Sequence, residues 1–299
     1  MSAYAGGGDL PGALLHALQL EVSRRIEGLL AGEFRSSRHG EGTELAQVRP
    51  YVPGDDVRLL EWNVTARTGI PHVRVNLAER MLVTWLLLDV SPSMRFGTAE
   101  RRKCDVAAGV ALAVGHVATR RGNRLGVLTF GGREEKTLLP AQGRQGLLGL
   151  LTALQHEPEL EGGGTTSLGS VLERTGATAR QRGLVVIASD FRGPLDWRAQ
   201  LLRLLPRHDV LALEVRDRRE QELPDVGEVW LVDPETGRQV RVDTHSALLR
   251  ERFAAAAAEE RTGVARVLSA LGVPHAVLST HGDWLRELAL FLRGRNRAQ

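Results

Sequence analysis

Cysteine is the scarcest residue type in this chain of 299 residues. The single cysteine, Cys104, excludes an intrachain disulfide and any zinc site built on several thiolates. Long apolar runs are also lacking: Leu86–Leu88 is followed at once by Asp89, whereas a membrane-spanning helix needs about 18 apolar residues. The start of the sequence lacks the basic and then apolar order of a secretory signal. These absences predict a protein without a membrane span in a reducing, cytoplasmic compartment.

Lysine is almost as scarce, because only Lys103 and Lys136 among the 39 basic residues are lysines. The arginines are spread along the whole chain, and 36 acidic residues nearly balance the positive charge to leave a net charge of +3. Nucleic-acid-binding proteins concentrate positive charge on one face, so this distribution argues against a nucleic-acid partner. A content of 42% hydrophobic and 25% charged residues is typical of globular proteins and excludes a wholly disordered chain.

Helical and strand patterns alternate through most of the sequence. Apolar residues recur at helical spacing between residues 10 and 31, and residues 73–77 alternate as in a half-exposed strand. From residue 81 onwards, short apolar runs typical of buried parallel strands alternate with helical segments. The runs are Met81–Val90, Leu125–Phe130, Leu184–Ser189, Val210–Val215 and Ala276–Ser279. The helical segments are residues 101–121, 144–154, 168–181, 197–205, 246–271 and 284–293.

These patterns predict an α/β fold with an open, mostly parallel sheet and helices on both of its faces. Three parts are expected along the chain: an N-terminal helix in residues 1–34, a β-containing decoration in residues 35–80 and the α/β domain in residues 81–299. A β-hairpin insertion at about residues 216–243, around a Pro-Glu-Thr-Gly turn, interrupts the α/β domain.

Oxygen-bearing side chains cluster where predicted strands end and where a predicted helix begins. The cluster comprises Asp89, Ser91, Ser93, Thr166 and Asp190. Ligands of open parallel sheets bind outside the carboxyl ends of the strands, and carboxylate and hydroxyl oxygens suit a hard cation. The sequence therefore predicts a site for Mg²⁺ or Mn²⁺ at this edge of the sheet.

The cluster resembles the metal-ion-dependent adhesion site of von Willebrand factor type A domains, and the likeness runs from about residue 81 to the end of the chain. It implies that the hydroxyls of Ser91, Ser93 and Thr166 contact the metal. It also implies that Asp89 and Asp190 hold the metal mainly through water and hydrogen bonds.

Thr165 and Thr166 both follow the glycine run at residues 162–164, so Thr165 remains an alternative third hydroxyl, although the family spacing favours Thr166. Neutral hydroxyl ligands leave much of the metal's positive charge uncompensated, so that a partner's carboxylate can become its remaining ligand. Such a site indicates recognition rather than catalysis. Arg95 and Arg192 follow the two motif loops and are expected to add attraction for an acidic partner.

A second resemblance is to the bacterial family called domain of unknown function 58. It rests on Arg49–Arg58, Glu61–Asn63, Leu87–Met94 and the Asp-Pro-Glu-Thr-Gly run Asp233–Gly237, and it covers nearly everything after residue 35. Members with a von Willebrand type A fold are often linked with MoxR-type AAA+ ATPases. The resemblance implies a non-enzymatic, metal-dependent protein-interaction module that partners such an ATPase in the assembly or activation of other proteins.

Two other interpretations remain. A metal-dependent hydrolase could use the same site with Asp55, Asp56 or Asp190 as a base, although the sequence has no Walker loop or nucleophile elbow. Alternatively, the site has lost its metal and only the surface binds a partner. The simpler interpretation is that Asp55 or Asp56 caps a short helix at about residues 57–64 and pairs with Arg58 or Arg67, with Trp62 as a packed anchor.

Overall fold

The structure is a computed structural model that describes residues 39–77, 83–98, 101–119, 123–132, 134–154, 167–193 and 195–298. These residues belong to two compact units, one within residues 32–81 and the other from residue 82 onwards. The predicted N-terminal helix lies outside the described residues. Within them, no helix combines the length and the apolar character that crossing a membrane requires.

The smaller unit contains a two-stranded antiparallel sheet and one α-helix. The strands are β1 (His39–Pro50) and β2 (His72–Leu77), which pair along most of the length of β2. The helix α1 (Trp62–Thr68) lies between them in sequence and ends at Gly69, whose positive φ of 71° closes the last turn. The strand predicted at residues 73–77 is confirmed.

Asp55 and Asp56 both serve the local structure of the smaller unit. Asp56 accepts a hydrogen bond from the backbone N–H of Arg58 at 2.9 Å and caps a short 3-10 helix, Val57–Leu59. The predicted cap is confirmed, but the single helix predicted at residues 57–64 is wrong, because α1 begins separately at Trp62. Asp55 forms a bidentate ion pair with Arg49 at 2.7 and 2.8 Å, and not with an arginine further along the chain as expected. Trp62 is 68% exposed, so its expected role as a packed anchor is wrong.

The larger unit alternates strands and helices. Its strands are β3 (Val83–Asp89), β4 (Arg124–Phe130), β5 (Thr137–Gln142), β6 (Gly183–Ser189), β7 (Asp209–Arg216), β8 (Glu228–Val232), β9 (Gln239–Asp243) and β10 (His275–Ser279). Its helices are α2 (Lys103–Thr119), α3 (Gly143–Leu154), α4 (Leu168–Thr178), α5 (Trp197–Leu204), α6 (Ala247–Ala270) and α7 (Trp284–Ala298).

Six of these strands form one sheet in the order β10-β7-β6-β3-β4-β5. Every neighbouring pair is parallel except β4 with β5, which is antiparallel. Strands β8 and β9 form a separate antiparallel hairpin within residues 216–243. The predicted α/β class with an open, mostly parallel sheet is confirmed.

Helices cover both faces of the sheet because side chains along a strand alternate between two cores. In β3, Leu86 and Leu88 belong to the core that α2, α3 and α7 complete. Trp85 and Leu87 belong to the opposite core, with α4, α5 and α6. Every residue of β3 is buried, as a strand in the middle of a parallel sheet requires.

The edge strand β5 is an element that the sequence patterns do not reveal. None of its residues is fully buried, and its apolar stretch before Pro140 is only Leu138 and Leu139. It contains Pro140, and its pairing with β4 shifts register between Leu125 and Val127. Proline and register shifts are typical of edge strands, where a missing backbone donor costs least.

Trp197 provides a test of the assigned core. Its ring is 2% exposed and packs edge-on against Phe191, with ring centroids 5.7 Å apart. Trp197→Ala is expected to lower the free energy of unfolding by about 3–5 kcal/mol, because it removes buried apolar surface and leaves a cavity. Urea denaturation measures this change.

Trp230→Ala is the matched control, because this ring is 63% exposed on the hairpin. Its expected effect on the free energy of unfolding is below about 0.5 kcal/mol. Equal losses in the two variants would contradict the burial of Trp197.

Candidate functional site

The candidate site lies at the carboxyl ends of β3 and β6, which are parallel neighbours in the middle of the sheet. The strand that follows β3 in the chain, β4, pairs with it on one side, whereas β7 follows β6 and pairs with it on the other side. The strand order therefore reverses between β3 and β6. Open α/β sheets have their ligand crevice at such a switch point.

Asp89 organises the motif loop, which we define as residues 89–95. Its side chain is buried, and Oδ1 accepts the backbone N–H of Ser91 at 2.9 Å. Oδ2 accepts the hydroxyl of Ser189 at the end of β6, so that Asp89 joins the two strand ends. Gly131 permits this packing, since a Cβ added there would lie 2.8 Å from the Cβ of Ser91.

The two serine hydroxyls of the motif loop meet beside the second aspartate. The Oγ atoms of Ser91 and Ser93 are 3.0 Å apart, and Ser93 Oγ donates to Asp190 Oδ2 at 2.8 Å. Four of the five residues predicted to hold a metal are thus connected through hydrogen bonds: Asp89, Ser91, Ser93 and Asp190. We call these four residues the candidate centre.

The source of a third hydroxyl stays a prediction. Thr166 and its alternative Thr165 both lie outside the described residues. The described chain resumes at Ser167, which caps α4 by accepting the N–H of Ser170.

A buried lysine, which the sequence analysis did not assign to the site, neutralises one side of the candidate centre. Lys103 begins α2 and is fully buried. Its Nζ donates to Asp190 Oδ2 at 2.7 Å and to Glu220 Oε1 at 2.6 Å. A buried ammonium is stable only when it is paired and hydrogen-bonded, so the two carboxylates and Lys103 require one another.

The two aspartates of the candidate centre have opposite pKa shifts. Burial raises the pKa of Asp190, and the charge and hydrogen bond of Lys103 oppose this effect. Together with hydrogen bonds from the Arg192 N–H and the Ser93 hydroxyl, they hold the pKa below its usual value. Burial and the neighbouring charge of Asp190 raise the pKa of Asp89 to about 7, against hydrogen bonds from Ser189 and Ser91. Lys103 therefore compensates Asp190 directly, while Asp89 lies in a region with an excess of negative charge.

The donor chemistry of the candidate centre fits a hard divalent cation. Its side chains offer carboxylate and hydroxyl oxygens and no nitrogen or sulfur, which suits Mg²⁺ or Mn²⁺. Across the described ranges, no three or more histidine, cysteine, aspartate or glutamate side chains are arranged to hold a metal. A metal here would therefore depend on the serine hydroxyls between the aspartates.

Arginine and glutamate side chains border the candidate centre. Arg192 lies 3.3 Å from Glu220, so part of its charge is already compensated, although its side chain is 39% exposed. Arg95, the other arginine expected at the rim, is half-buried at the end of the motif loop. The carboxylate of Glu235, from the turn between β8 and β9, accepts the N–H of Ser93 at 3.0 Å.

Comparison with known proteins places the chain in a family. The family described as protein of unknown function DUF58 matches residues 47–263, which is more than half of the chain. The chain belongs to the DUF58 family. The matched range includes the candidate centre together with Lys103, Glu220 and Glu235.

Relatives of this DUF58 protein occur in mycobacteria. The uncharacterized protein Rv1480 of Mycobacterium tuberculosis (strain ATCC 25618 / H37Rv) is 42% identical over 286 residues, which cover 95% of this chain and 90% of that protein. An uncharacterized protein of Mycobacterium avium is 40% identical over 162 residues, or 54% of this chain and 95% of that protein.

Solved structures with a similar fold include BatB from Bacteroides thetaiotaomicron and the SpRpn10 VWA domain. BatB is 13% identical with a TM-score of 0.46, over 72% of this chain and 99% of that chain. The SpRpn10 VWA domain is 14% identical with a TM-score of 0.39, over 70% of this chain and 94% of that chain.

Lys103, Glu220 and Glu235 are the site residues that sequence reasoning missed. Lys103 carried a usable signal, because a cation at a helix N-terminus opposes the helix dipole and calls for a special partner. Glu220 and Glu235 lie 117 and 142 positions from their partners Lys103 and Ser93. Such separations leave no local pattern in the sequence.

Lys103→Met is expected to lower the free energy of unfolding of this DUF58 protein by about 3–5 kcal/mol. The reason is that Asp190 and Glu220 then become buried carboxylates without their cation. Urea denaturation at neutral pH measures the loss, and adding Glu220→Gln should recover part of it.

Lys136→Met is the matched control, since Lys136 is the other lysine of the chain. Its expected cost is below about 1 kcal/mol. If Lys103→Met were as mild as this control, the ammonium would not be the structural cation of the site.

Proposed function

We propose that this chain is a non-enzymatic protein-interaction module that recognises an acidic group of its partner through Mg²⁺ or Mn²⁺ at the candidate centre. One observation carries this proposal: the hydroxyls of Ser91 and Ser93 lie 3.0 Å apart between two buried aspartates, at the switch point of the sheet. Polar side chains join the two loops there, and none of the four residues of the candidate centre belongs to either hydrophobic core.

A bound Mg²⁺ would supply a positive charge that neutral hydroxyl ligands compensate only in part, and so an attraction for an incoming carboxylate. The residues of this chain fix where that carboxylate arrives. Asp89 orders the motif loop, Lys103 keeps Asp190 ionised beside Ser93, and the partly exposed Arg192 adds positive charge at the rim. Long-range attraction for acidic groups follows from such an arrangement.

Hydrolysis by the same site is the weaker candidate. A general base needs a free lone pair and a pKa near the working pH, whereas Asp190 is bound to Lys103 and its pKa is lowered. Asp55 is paired with Arg49, and Asp56 caps a short helix. Each of the three bases considered from the sequence thus has a structural role.

The partner that we propose is a MoxR-type AAA+ ATPase, and the proposed role is the assembly or activation of other proteins. The support for this class of partner is the DUF58 membership, together with the resemblance from which the expectation arose. The site chemistry adds that the contact surface of the ATPase should present an aspartate or glutamate.

Asp89→Asn tests the metal. Asparagine keeps the shape of the side chain and an oxygen for the Ser91 N–H, but it removes the charge. The affinity for Mg²⁺, measured by isothermal titration calorimetry, is expected to fall at least about tenfold, since charge-assisted contacts are roughly twice as strong as neutral ones. Circular dichroism should show an unchanged fold.

Asp209→Asn is the matched control for this titration. Asp209 is an exposed carboxylate at the start of β7, on the opposite end of the sheet from the candidate centre. The Mg²⁺ affinity of the Asp209→Asn variant should equal that of the unmodified protein. Equal Mg²⁺ affinities of Asp89→Asn and Asp209→Asn would refute the assignment of the candidate centre.

Capture of a MoxR-type ATPase should require the metal-binding form of the chain. Chelator also strips Mg²⁺ from the nucleotide of the ATPase, so the informative arm is Asp89→Asn with Mg²⁺ present throughout. We expect capture by the unmodified chain and by Asp209→Asn, but not by Asp89→Asn. Capture should weaken with salt, because exposed charges are screened within about 8 Å at physiological ionic strength. Undiminished capture by Asp89→Asn would mean that another surface binds the ATPase.

A further inference from the structure

The hairpin between β7 and α6 reaches back to the motif loop through its turn. Its strands pair regularly, from Glu228 opposite Asp243 to Val232 opposite Gln239. At the turn, Oε1 of Glu235 accepts the backbone N–H of Ser93 at 3.0 Å. The same serine donates its hydroxyl to Asp190, so the hairpin contacts a residue of the candidate centre directly.

The turn is built to present Glu235. Asp233 Oδ1 accepts the N–H of Glu235 at 3.0 Å and Oδ2 accepts the hydroxyl of Thr236, while the Asp233 carbonyl accepts the N–H of Gly237 at 2.8 Å. Hydrogen bonds from Thr236 and Glu235, followed by the charge of Arg192, lower the pKa of Asp233. Gly237 has a positive φ of 68°, which a residue without Cβ adopts at no cost. The shape of the turn thus does not depend on its contact with Ser93.

The base of the hairpin is anchored independently of its tip. Thr244 is fully buried, and its Oγ1 donates to the carbonyl of Gly227 at 2.7 Å and accepts the N–H of Val226 at 3.1 Å. The arms between base and tip are solvated, with Trp230 63% and Val232 53% exposed. Glu235 itself is exposed. The tip can therefore leave the motif loop without unfolding the hairpin.

The chemistry at the tip matches the chemistry expected of a partner. Glu235 brings a carboxylate to a loop that already has Asp89 and Asp190 beside it, where like charges repel. The contact is favourable because a carboxylate accepts a backbone N–H strongly. The chain thus supplies, from its own hairpin, the chemical group that the proposed function assigns to the partner.

The geometry points to the β8–β9 hairpin as an internal competitor: Glu235 occupies the carboxylate position at the motif loop in the free protein, and an acidic side chain of the partner displaces it. This inference rests on the proposed function for the partner's chemistry. It adds a device that keeps the recognition site covered until a partner carboxylate arrives.

Glu235→Gln tests the competitor, because it removes the charge and keeps the size of the side chain. Glu228→Gln is the matched control, as it makes the same change at the other end of β8, where it removes only an exposed ion pair with Arg241. Thermal unfolding should show that both variants keep the stability of the unmodified chain.

The probe is a fluorescein-labelled pentapeptide with one glutamate between glycines, and its glutamine analogue serves as the blank. In saturating Mg²⁺, fluorescence anisotropy is expected to show at least about fivefold tighter binding to Glu235→Gln than to the unmodified chain, since a charge-assisted hydrogen bond no longer competes. Glu228→Gln should match the unmodified chain, and the glutamine analogue should bind to none. The inference is overturned if Glu235→Gln and the unmodified chain bind the glutamate peptide with equal affinity, or if neither binds it.

Titration with Mg²⁺ alone separates this inference from the proposed function. If the unmodified chain binds Mg²⁺ through Asp89 but Glu235→Gln gains no affinity for the glutamate peptide, the hairpin proposal is refuted and the proposed metal site is supported. If the unmodified chain binds no Mg²⁺ and Glu235→Gln still gains affinity for the glutamate peptide, the proposed metal site is refuted. In that case the Ser93 N–H would be the recognition element, with the hairpin as its competitor.

Discussion

The ammonium of Lys103 is the charge on which the candidate site depends. It joins the start of α2 to Asp190 after β6 and to Glu220 after β7, so three separate segments meet at one buried cation. Removing a charge of this kind from water is costly unless both partners are in place. The three segments are therefore fixed relative to one another with the precision of two short hydrogen bonds. The position of Ser93 is fixed in the same way, because its hydroxyl donates to the same oxygen of Asp190 that Lys103 contacts.

Sheet topology supplies the other half of the site. The reversal of strand order between β3 and β6 leaves their carboxyl ends without a covering crossover, and Asp89 and Ser189 close this gap with one side-chain contact. Asp89 thus makes two structural contacts: Oδ1 holds the motif loop through the Ser91 N–H, and Oδ2 connects it to β6 through Ser189. Burial and the charge of Asp190 raise the pKa of Asp89 although both of these hydrogen bonds favour its ionised form.

The parts of the fold that the sequence predicts are those with a strong local pattern. Buried parallel strands such as β3 and β6 are continuous apolar runs in the sequence, and the turn residues predict the hairpin. The edge strand β5 has no buried residue, so no apolar pattern indicated it. Helix α7 continues to Ala298, beyond its last apolar repeat, so its end was predicted too early. Asp89 and Asp190 could be found because Asp89 ends β3 and Asp190 directly follows β6. Glu220 and Glu235 could not, since only three-dimensional proximity gives them a role. For Lys103 the sequence carried only the weaker signal of a cation at the start of a helix.

The irregular edge strand β5 also limits how this protein can be recognised. A common way to bind a sheet is to add a further strand along its edge, which requires an unbroken row of backbone donors and acceptors. Pro140 contributes no donor, and the register shift between Leu125 and Val127 breaks the spacing of the row. Backbone templating is thereby disfavoured at this margin of the sheet. The same irregularity guards β5 against edge-to-edge association with other copies of the chain, a hazard for any open sheet.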